Sequence, residues 1–293
     1  MSGIAGSGCD VLLPQGELKP LNEIERSIIK GYRKVLLSKF IRAVKDYKML
    51  ADGDKVAVAM SGGKDSLIMA KLFQELQKHG KIKFELEFIV MDPGYHENIR
   101  ELMISNCKHL NIPLQVYESH IFDVVDRIAK DYPCYMCAKM RRGALYSKAQ
   151  ELGCNKLALG HHFNDVIETT MLNIAYTGCF KTMLPKIKST NFAGLELIRP
   201  MYYIEEKDII SFTQNSGIQA LNCACMVAAK KIGNKRYEIR ALIEELKGRF
   251  EDFDRKLFKA ADNVNIEAIL GWQKGGQKYS YLDFYDEEDF DEE

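Results

Sequence analysis

Residues 56–66 read Val56-Ala57-Val58-Ala59-Met60-Ser61-Gly62-Gly63-Lys64-Asp65-Ser66, an apolar run that ends in a glycine pair, a lysine and flanking hydroxyl side chains. The stretch that follows, LIMAKLFQELQKHG (67–80), has helical spacing and stops at Gly80. The pattern predicts a buried strand, a tight loop and a helix in succession. At such a junction, backbone N–H groups and the helix dipole converge on an anion. Gly62 and Gly63 let the backbone come close to phosphate, Lys64 adds a point charge, and Ser61 and Ser66 add donors. Asp65 is placed to cap the helix or to help hold a magnesium ion. The spacing is not G-x-x-x-x-G-K-[ST], so a Walker-type phosphate loop is not inferred. A plain glycine turn with a helix cap is the competing reading.

The same alternation continues along the chain. Residues 21–50 read as a helix, 84–91 as a second strand broken by Asp92-Pro93-Gly94, and 114–117 as a third. A helix over 138–152 leads to a fourth strand at 156–160, and a helix over 165–176 follows. A fifth strand at 195–201 precedes a helix over 205–215. This order predicts an α/β fold with a doubly wound, mainly parallel five-stranded sheet, whose ligands sit at the carboxyl ends of the strands. Past residue 226 the pattern reads as helical only, with an amphipathic stripe of Ile239, Leu242, Ile243 and Leu246.

Composition narrows the class. The chain has 293 residues, 46% hydrophobic and 28% charged, and no apolar run reaches the length of a membrane span. The first residues lack a basic region followed by an apolar stretch, so no secretory signal is expected and the cytoplasm is the expected compartment. Eight cysteines without such a signal point to reduced thiols, a metal or catalysis. The net charge of zero hides an asymmetry: eight acids and no base fall within 283–293, leaving 41 basic against 33 acidic side chains before it. Between Arg26 and Lys48 stand eight Lys or Arg (Arg26, Lys30, Arg33, Lys34, Lys39, Arg42, Lys45, Lys48) and one acid, Asp46. Such a face is long enough to lie along a phosphate backbone, although an ordinary solvated helix face has the same look.

Two further groups carry chemistry. Gly160-His161-His162-Phe163-Asn164-Asp165 follows the fourth strand, where Asp165 is a candidate for a magnesium or catalytic role. Cys134-Tyr135-Met136-Cys137 is a C-x-x-C pair compatible with zinc, an iron–sulfur cluster or redox work. Lys139, Arg141 and Arg142 follow it and would lower thiol pKa values or attract phosphates. Cys223-Ala224-Cys225 lies after the fifth strand. Cys107, Cys154 and Cys179 read as packed small hydrophobes, and Cys9 lies in a leader.

SGGKDS resembles the signature of the ATP pyrophosphatases, which cleave ATP between the α and β phosphates. With CYMC-AKMRRG, LALGHHFND, MLPKI and IRPMYYIEEKDI, the chain resembles the tRNA 2-thiocytidine synthetases over about residues 21–240. Relatives commonly carry two consecutive acids where this chain has Asn164-Asp165, and a C-x-x-C where it has Cys223-Ala224-Cys225. The resemblance implies an adenine nucleotide alpha hydrolase-like fold. It places a leader and basic helix at 1–50, the ATP pyrophosphatase domain at 51–225, a helical region at 226–282 and an acidic tail at 283–293. It implies ATP-dependent 2-thiolation of a pyrimidine in tRNA, cytidine 32 by family analogy, with ATP and Mg2+. The ATP site would comprise Ser61, Gly62, Gly63, Lys64, Asp65, Ser66, Asp92, Gly160 and His161. Lys64, Asp165 and Arg141 would carry catalysis, and Cys134, Cys137 and Cys225 would hold a [4Fe-4S] cluster, with Cys223 the alternative third ligand. A cysteine desulfurase or sulfide would donate the sulfur, and many relatives are homodimers. Two other readings stay open: a tRNA 2-thiouridine synthetase, and a zinc-stabilised tRNA-binding module without catalysis.

Overall fold

Val56, Ala57 and Val58 are all buried, so the strand that carries them, β1 (Asp54–Ala59), is covered on both faces, as a central parallel strand must be. The computed structural model describes residues 11–12, 14–92, 94–95, 97–119, 133–221 and 226–285; at 11–12, 133–139, 141 and 226–234 it describes the backbone alone. Around β1 stand β2 (Phe84–Asp92), β3 (Leu114–Glu118), β4 (Lys156–Ala158), β5 (Lys186–Lys188) and β6 (Glu196–Ile198), in the order β3-β2-β1-β4-β6-β5. All neighbours run parallel except β5, which pairs antiparallel with β6 at the edge. The sheet is therefore doubly wound and mainly parallel, with one strand more than the five expected. The extra strand, Lys-Ile-Lys, is three residues long with two of them charged, too short for its alternation to register. Its lysines also blunt an open sheet edge.

The helices are α1 (Leu21–Ile29), α2 (Ser38–Asp46), α3 (Lys64–His79), α4 (Glu97–His109), α5 (Pro133–Glu151), α6 (Phe163–Thr177), α7 (Glu206–Asn215), α8 (Met226–Arg249) and α9 (Phe253–Ala260). Val56, Val58, Phe88 and Val90 share one core with α1, α2, α3 and α7, while Ala57, Ile89 and Leu157 pack with Ala149 of α5 on the opposite face. This is a three-layer arrangement. Phe163 and Ile167 of α6 join Ile239 and Ile243 of α8 and Leu257 of α9 in a third cluster.

The helix expected over 21–50 is broken. Gly31 follows α1, Tyr32 N–H reaches back to the Ser27 carbonyl at 2.8 Å, and a π-helical turn spans Arg33–Leu37. Ile28 and Leu36 are eight residues apart, which leaves them about 80° out of line on an α-helix. One inserted residue brings both onto the core, where each is fully buried. The region past 226 is not helical throughout either: Gly271–Lys274 and Gln277–Ser280 form an antiparallel hairpin. Gly275 and Gly276 turn it at φ +61° and +83°, and Trp272 stacks on Tyr279 and Phe284. A Gly-Gly pair between aromatic residues is a hairpin signal that the helical reading passed over.

Candidate active site

β1 has β2 on one side and β4 on the other, so the order of strands reverses between β1 and β4. Ligand clefts in open α/β sheets form outside the strand ends at that point. A cleft of about 390 Å3 lies there, lined by Ser61, Asp65 and Ser66 from the first loop and by Gly160, His161 and Asp165 from the fourth strand's end. Leu145, Leu157 and Leu159 give it an apolar side, and Arg142 of α5 reaches it.

The loop is held by its own hydroxyls. Ser61 N–H donates to Ser66 Oγ at 3.2 Å, and Ser66 Oγ donates to the Gly63 carbonyl at 2.9 Å. Gly62 sits at φ +74°, and a Cβ there would meet Leu221 Cδ1 at 2.9 Å and Met103 Cγ at 3.2 Å, so no larger residue fits. Leu221 N–H donates to the Gly62 carbonyl at 3.2 Å, and a parallel bridge links Gly63 to Leu221. The short strand β7 (Ala220–Leu221) is thereby tied to the glycine loop, two residues before Cys223 in the sequence. Gly160 lets the fourth strand's end close on α3, where a Cβ would lie 3.4 Å from the Asp65 carbonyl carbon.

Lys64 departs from the expected pose. It is 4% exposed and lies between Glu206 at 3.1 Å and Asp65 at 3.2 Å, not along the cleft. Burial opposes its charge, but Asp65 and Glu206 hold its pKa above the usual lysine range. Burial pushes the Asp65 carboxyl up despite Lys64, and Asp65 Oδ1 is buried without a hydrogen-bond partner. Asp165 is held low although burial acts against it, because His162 and Arg236 stand beside it. Arg236 reaches Asp165 and Glu168 at 2.8 Å, and Arg240 reaches Glu168 at 2.8 Å and Glu206 at 3.5 Å. Helix α8 thus covers the acids behind the glycine loop with two arginines one turn apart.

On the cleft's other wall, Arg199 Nε donates to His161 Nδ1 at 3.3 Å and a terminal nitrogen donates to the Leu184 carbonyl. Burial, with Arg199 adjacent, pushes the His161 imidazole down to about 4. The ring is neutral at physiological pH, and with Nδ1 accepting, its proton is on Nε2. Asn164, the departure from the two-acid pattern, accepts from Glu206 N–H at 2.9 Å and so fixes the start of α7.

The structure brings Ser61, Asp65, Ser66, Gly160, His161 and Asp165 to one cleft, with Gly62 and Gly63 in its loop. Asp92 does not line it: its carboxylate accepts from Gly94 and Tyr95 N–H at 2.9 and 2.7 Å and shapes the turn after β2. Arg142 lines the cleft, whereas the Arg141 and Lys139 side chains lie outside the described residues. Cys134 and Cys137 fall in the first turn of α5, three residues apart, and their side chains, like Cys223 and Cys225 altogether, lie outside the described residues. Cys107 and Cys154 are buried as expected, their thiols pushed up by burial to about 12 and about 11. Cys179 is exposed, which corrects its reading as a packed residue: it follows the left-handed Gly178 that ends α6, on the surface. Sequence reasoning missed Glu206, Arg199, Arg236 and Arg240. The arginine pair at i, i+4 beside Ile239 and Ile243 was the available signal.

Residues 34–222 match the family model for the PP-loop domain. The chain is 34% identical over 244 residues to the tRNA-cytidine(32) 2-sulfurtransferase of Geobacter metallireducens, covering 82% of this chain and 93% of that protein. It is 33% identical to the protein of the same name from Delftia acidovorans, over 87% of this chain and 80% of the relative. In fold it is similar to the U34-tRNA thiolase NcsA from Methanococcus maripaludis, solved with its [4Fe-4S] cluster, at a TM-score of 0.60 and 22% identity, covering 83% of this chain and 84% of that one.

Proposed function

The chain belongs to the PP-loop family, among the tRNA-cytidine(32) 2-sulfurtransferases, and from that premise we propose that it thiolates C2 of a cytidine in tRNA at the expense of ATP. The observation that carries this reading is the cleft at the reversal of strand order, with a phosphate-sized loop on one wall and a neutral histidine on the other. ATP places its apolar ring against Leu145, Leu157 and Leu159 and its phosphates at Ser61, Ser66 and the first turn of α3. The unpartnered Asp65 Oδ1, with Asp165 across the cleft, suits a magnesium ion, since hard cations take carboxylate oxygens and waters. The base O2 attacks the α-phosphorus, the bond to the bridging oxygen breaks, and pyrophosphate leaves. Lys64 turns from Glu206 to the phosphates, and His161 donates its Nε2–H to a phosphate oxygen. A sulfur nucleophile then attacks C2, and AMP leaves with the former carbonyl oxygen. The adenylate is needed because a carbonyl oxygen is a poor leaving group.

The donor chemistry suits an iron–sulfur cluster. Cys134 and Cys137 begin α5, the helix that also sends Arg142 to the cleft, and the chain bearing Cys223 and Cys225 departs from the phosphate loop at Leu221. Cys107 and Cys154, protonated and packed, are no part of such a set. When bound by three cysteines, a [4Fe-4S] cluster offers one iron open to a sulfur ligand. The exposed Arg26, Lys30, Arg33, Lys34, Lys45 and Lys48 hold the tRNA backbone. No helix among the described residues is long and apolar enough to cross a membrane.

The test is an anaerobic reaction with tRNA, ATP and sulfide, followed by nuclease digestion and mass spectrometry. 2-Thiocytidine with one pyrophosphate per base is expected. 2-Thiouridine would reassign the substrate, and neither product, from a preparation of full iron content, would overturn the proposal. One zinc and no iron in the purified protein would remove the cluster from it.

A further inference from the structure

A second cavity, of about 330 Å3, has no part in the chemistry above. Arg199 is the partition between the two: its guanidinium touches His161, which lines the cleft, and the carbonyl of Leu184, which lines the second cavity. Tyr47, Tyr202 and Phe258 form its walls, with the ring of Tyr202 5.2 Å from that of Tyr47 and 5.3 Å from that of Phe258. Lys186, Asp262 and the half-exposed side chain of Leu184 form its rim. This size is at the small end of ligand pockets and suits one planar ring.

The surroundings say which ring. Tyr47 lies near the end of the basic segment that runs from Arg26 to Lys48, and the exposed Lys45 and Lys48 flank it in sequence. Arg42, paired with Asp46 at 3.2 Å, lies over the neighbouring Tyr203 at 5.0 Å, and Lys186 Nζ, paired with Glu196 at 3.0 Å, donates to the Lys48 carbonyl at 2.9 Å, so among the described residues here the exposed Lys45 and Lys48 carry the free charge. Cations outside and aromatic walls inside are the combination by which proteins hold an unpaired nucleotide. Asp262 repels a phosphate from the pocket itself and accepts from an exocyclic amine, the pairing carboxylates make with such groups. Burial keeps both phenols neutral, so no charge opposes an uncharged ring.

Resting on the tRNA reading, we propose that this cavity takes an unpaired base of the same loop, next to the base being thiolated, and so sets which nucleotide enters the cleft. The experiment measures binding of a fluorescent anticodon stem-loop to the full-length holoenzyme by anisotropy, with an abasic site moved through the non-target loop positions. One position is expected to lose roughly tenfold or more in affinity, the usual worth of one stacked base. Leu184→Trp, which fills the mouth from an exposed position, is expected to lose as much with the intact loop and nothing further at that abasic position, with ATP affinity unchanged. A loop carrying 5-iodouracil at that position is expected to crosslink to Tyr47 or Phe258, a measurement that needs no variant. A Leu184→Trp protein that binds the intact loop like the parent, or an abasic penalty that persists in it, would overturn this site while leaving the tRNA assignment standing. A parent that binds no stem-loop would overturn both.

Discussion

Replacing Lys64 by alanine removes the cation shared by Glu206 at 3.1 Å and Asp65 at 3.2 Å, in a position 4% exposed to solvent. Taking one partner from a buried ion pair costs about 3–5 kcal/mol. Here Glu206 keeps Arg240 at 3.5 Å, so the loss falls at or below the lower end of that range, at about 2–3 kcal/mol. For a chain of this size that corresponds to a drop of about 3–5 °C in melting temperature. The same change takes a charge from the transition state, worth about 10²–10³ in turnover. The double variant Lys64→Ala/Glu206→Gln separates the two effects, because the amide removes one of the two carboxylates that the lysine leaves behind. Calorimetry should show at least half the stability regained, while pyrophosphate release with tRNA and ATP stays at the level of the single variant. If turnover returns together with stability, Lys64 serves the fold and the assigned role is wrong.

Gly62→Ala forces a side chain into φ +74° and against Leu221 and Met103, so urea unfolding should report a loss of about 1–3 kcal/mol together with weakened ATP binding. The His161 imidazole, pushed down to about 4 by burial, takes up its proton later than an unfolded histidine does near 6.5. The unfolded chain therefore binds more protons between those values, and stability falls as pH drops from 6.5 to 4. His161→Gln should flatten that slope in thermal melts, and a slope equal to the parent's would contradict the burial of this ring. Reversing Lys30, Lys34 and Lys45 to glutamate should weaken tRNA binding and lower its salt slope by about 2–3, whereas a solvated face without contacts would leave both unchanged. Cys225→Ser should abolish broad visible absorption and thiolation and Cys223→Ser should keep both; the reverse result would move the third ligand by two residues.

What the sequence made legible was local. The apolar run at 56–60 and the loop after it announced a strand, a tight turn and α3, and the order of motifs announced the family that the comparisons bear out. The strand β5 escaped because three residues carry too little periodicity, and the π turn because a single inserted residue shifts the phase of an otherwise helical pattern. The ion network behind the loop escaped for a different reason. Lys64 meets Glu206 across 142 positions and Asp165 meets Arg236 across 71, and nothing in the spacing of one segment says which distant segment will cover it. Asp92 shows the converse: a motif position can be filled by a residue whose carboxylate shapes a turn.

The hydrogen bond from Leu221 to Gly62 makes two neighbouring stretches of chain thermodynamically interdependent. Whatever fixes the glycine loop also fixes Leu221, from which the chain runs on to Cys223 and Cys225, and a ligand held by those thiols would in turn steady the loop. Linkage of this kind is reciprocal by necessity, with the same factor in both directions. A nucleotide bound at the loop would therefore tighten a metal centre held by those thiols by the same factor as the centre tightened nucleotide.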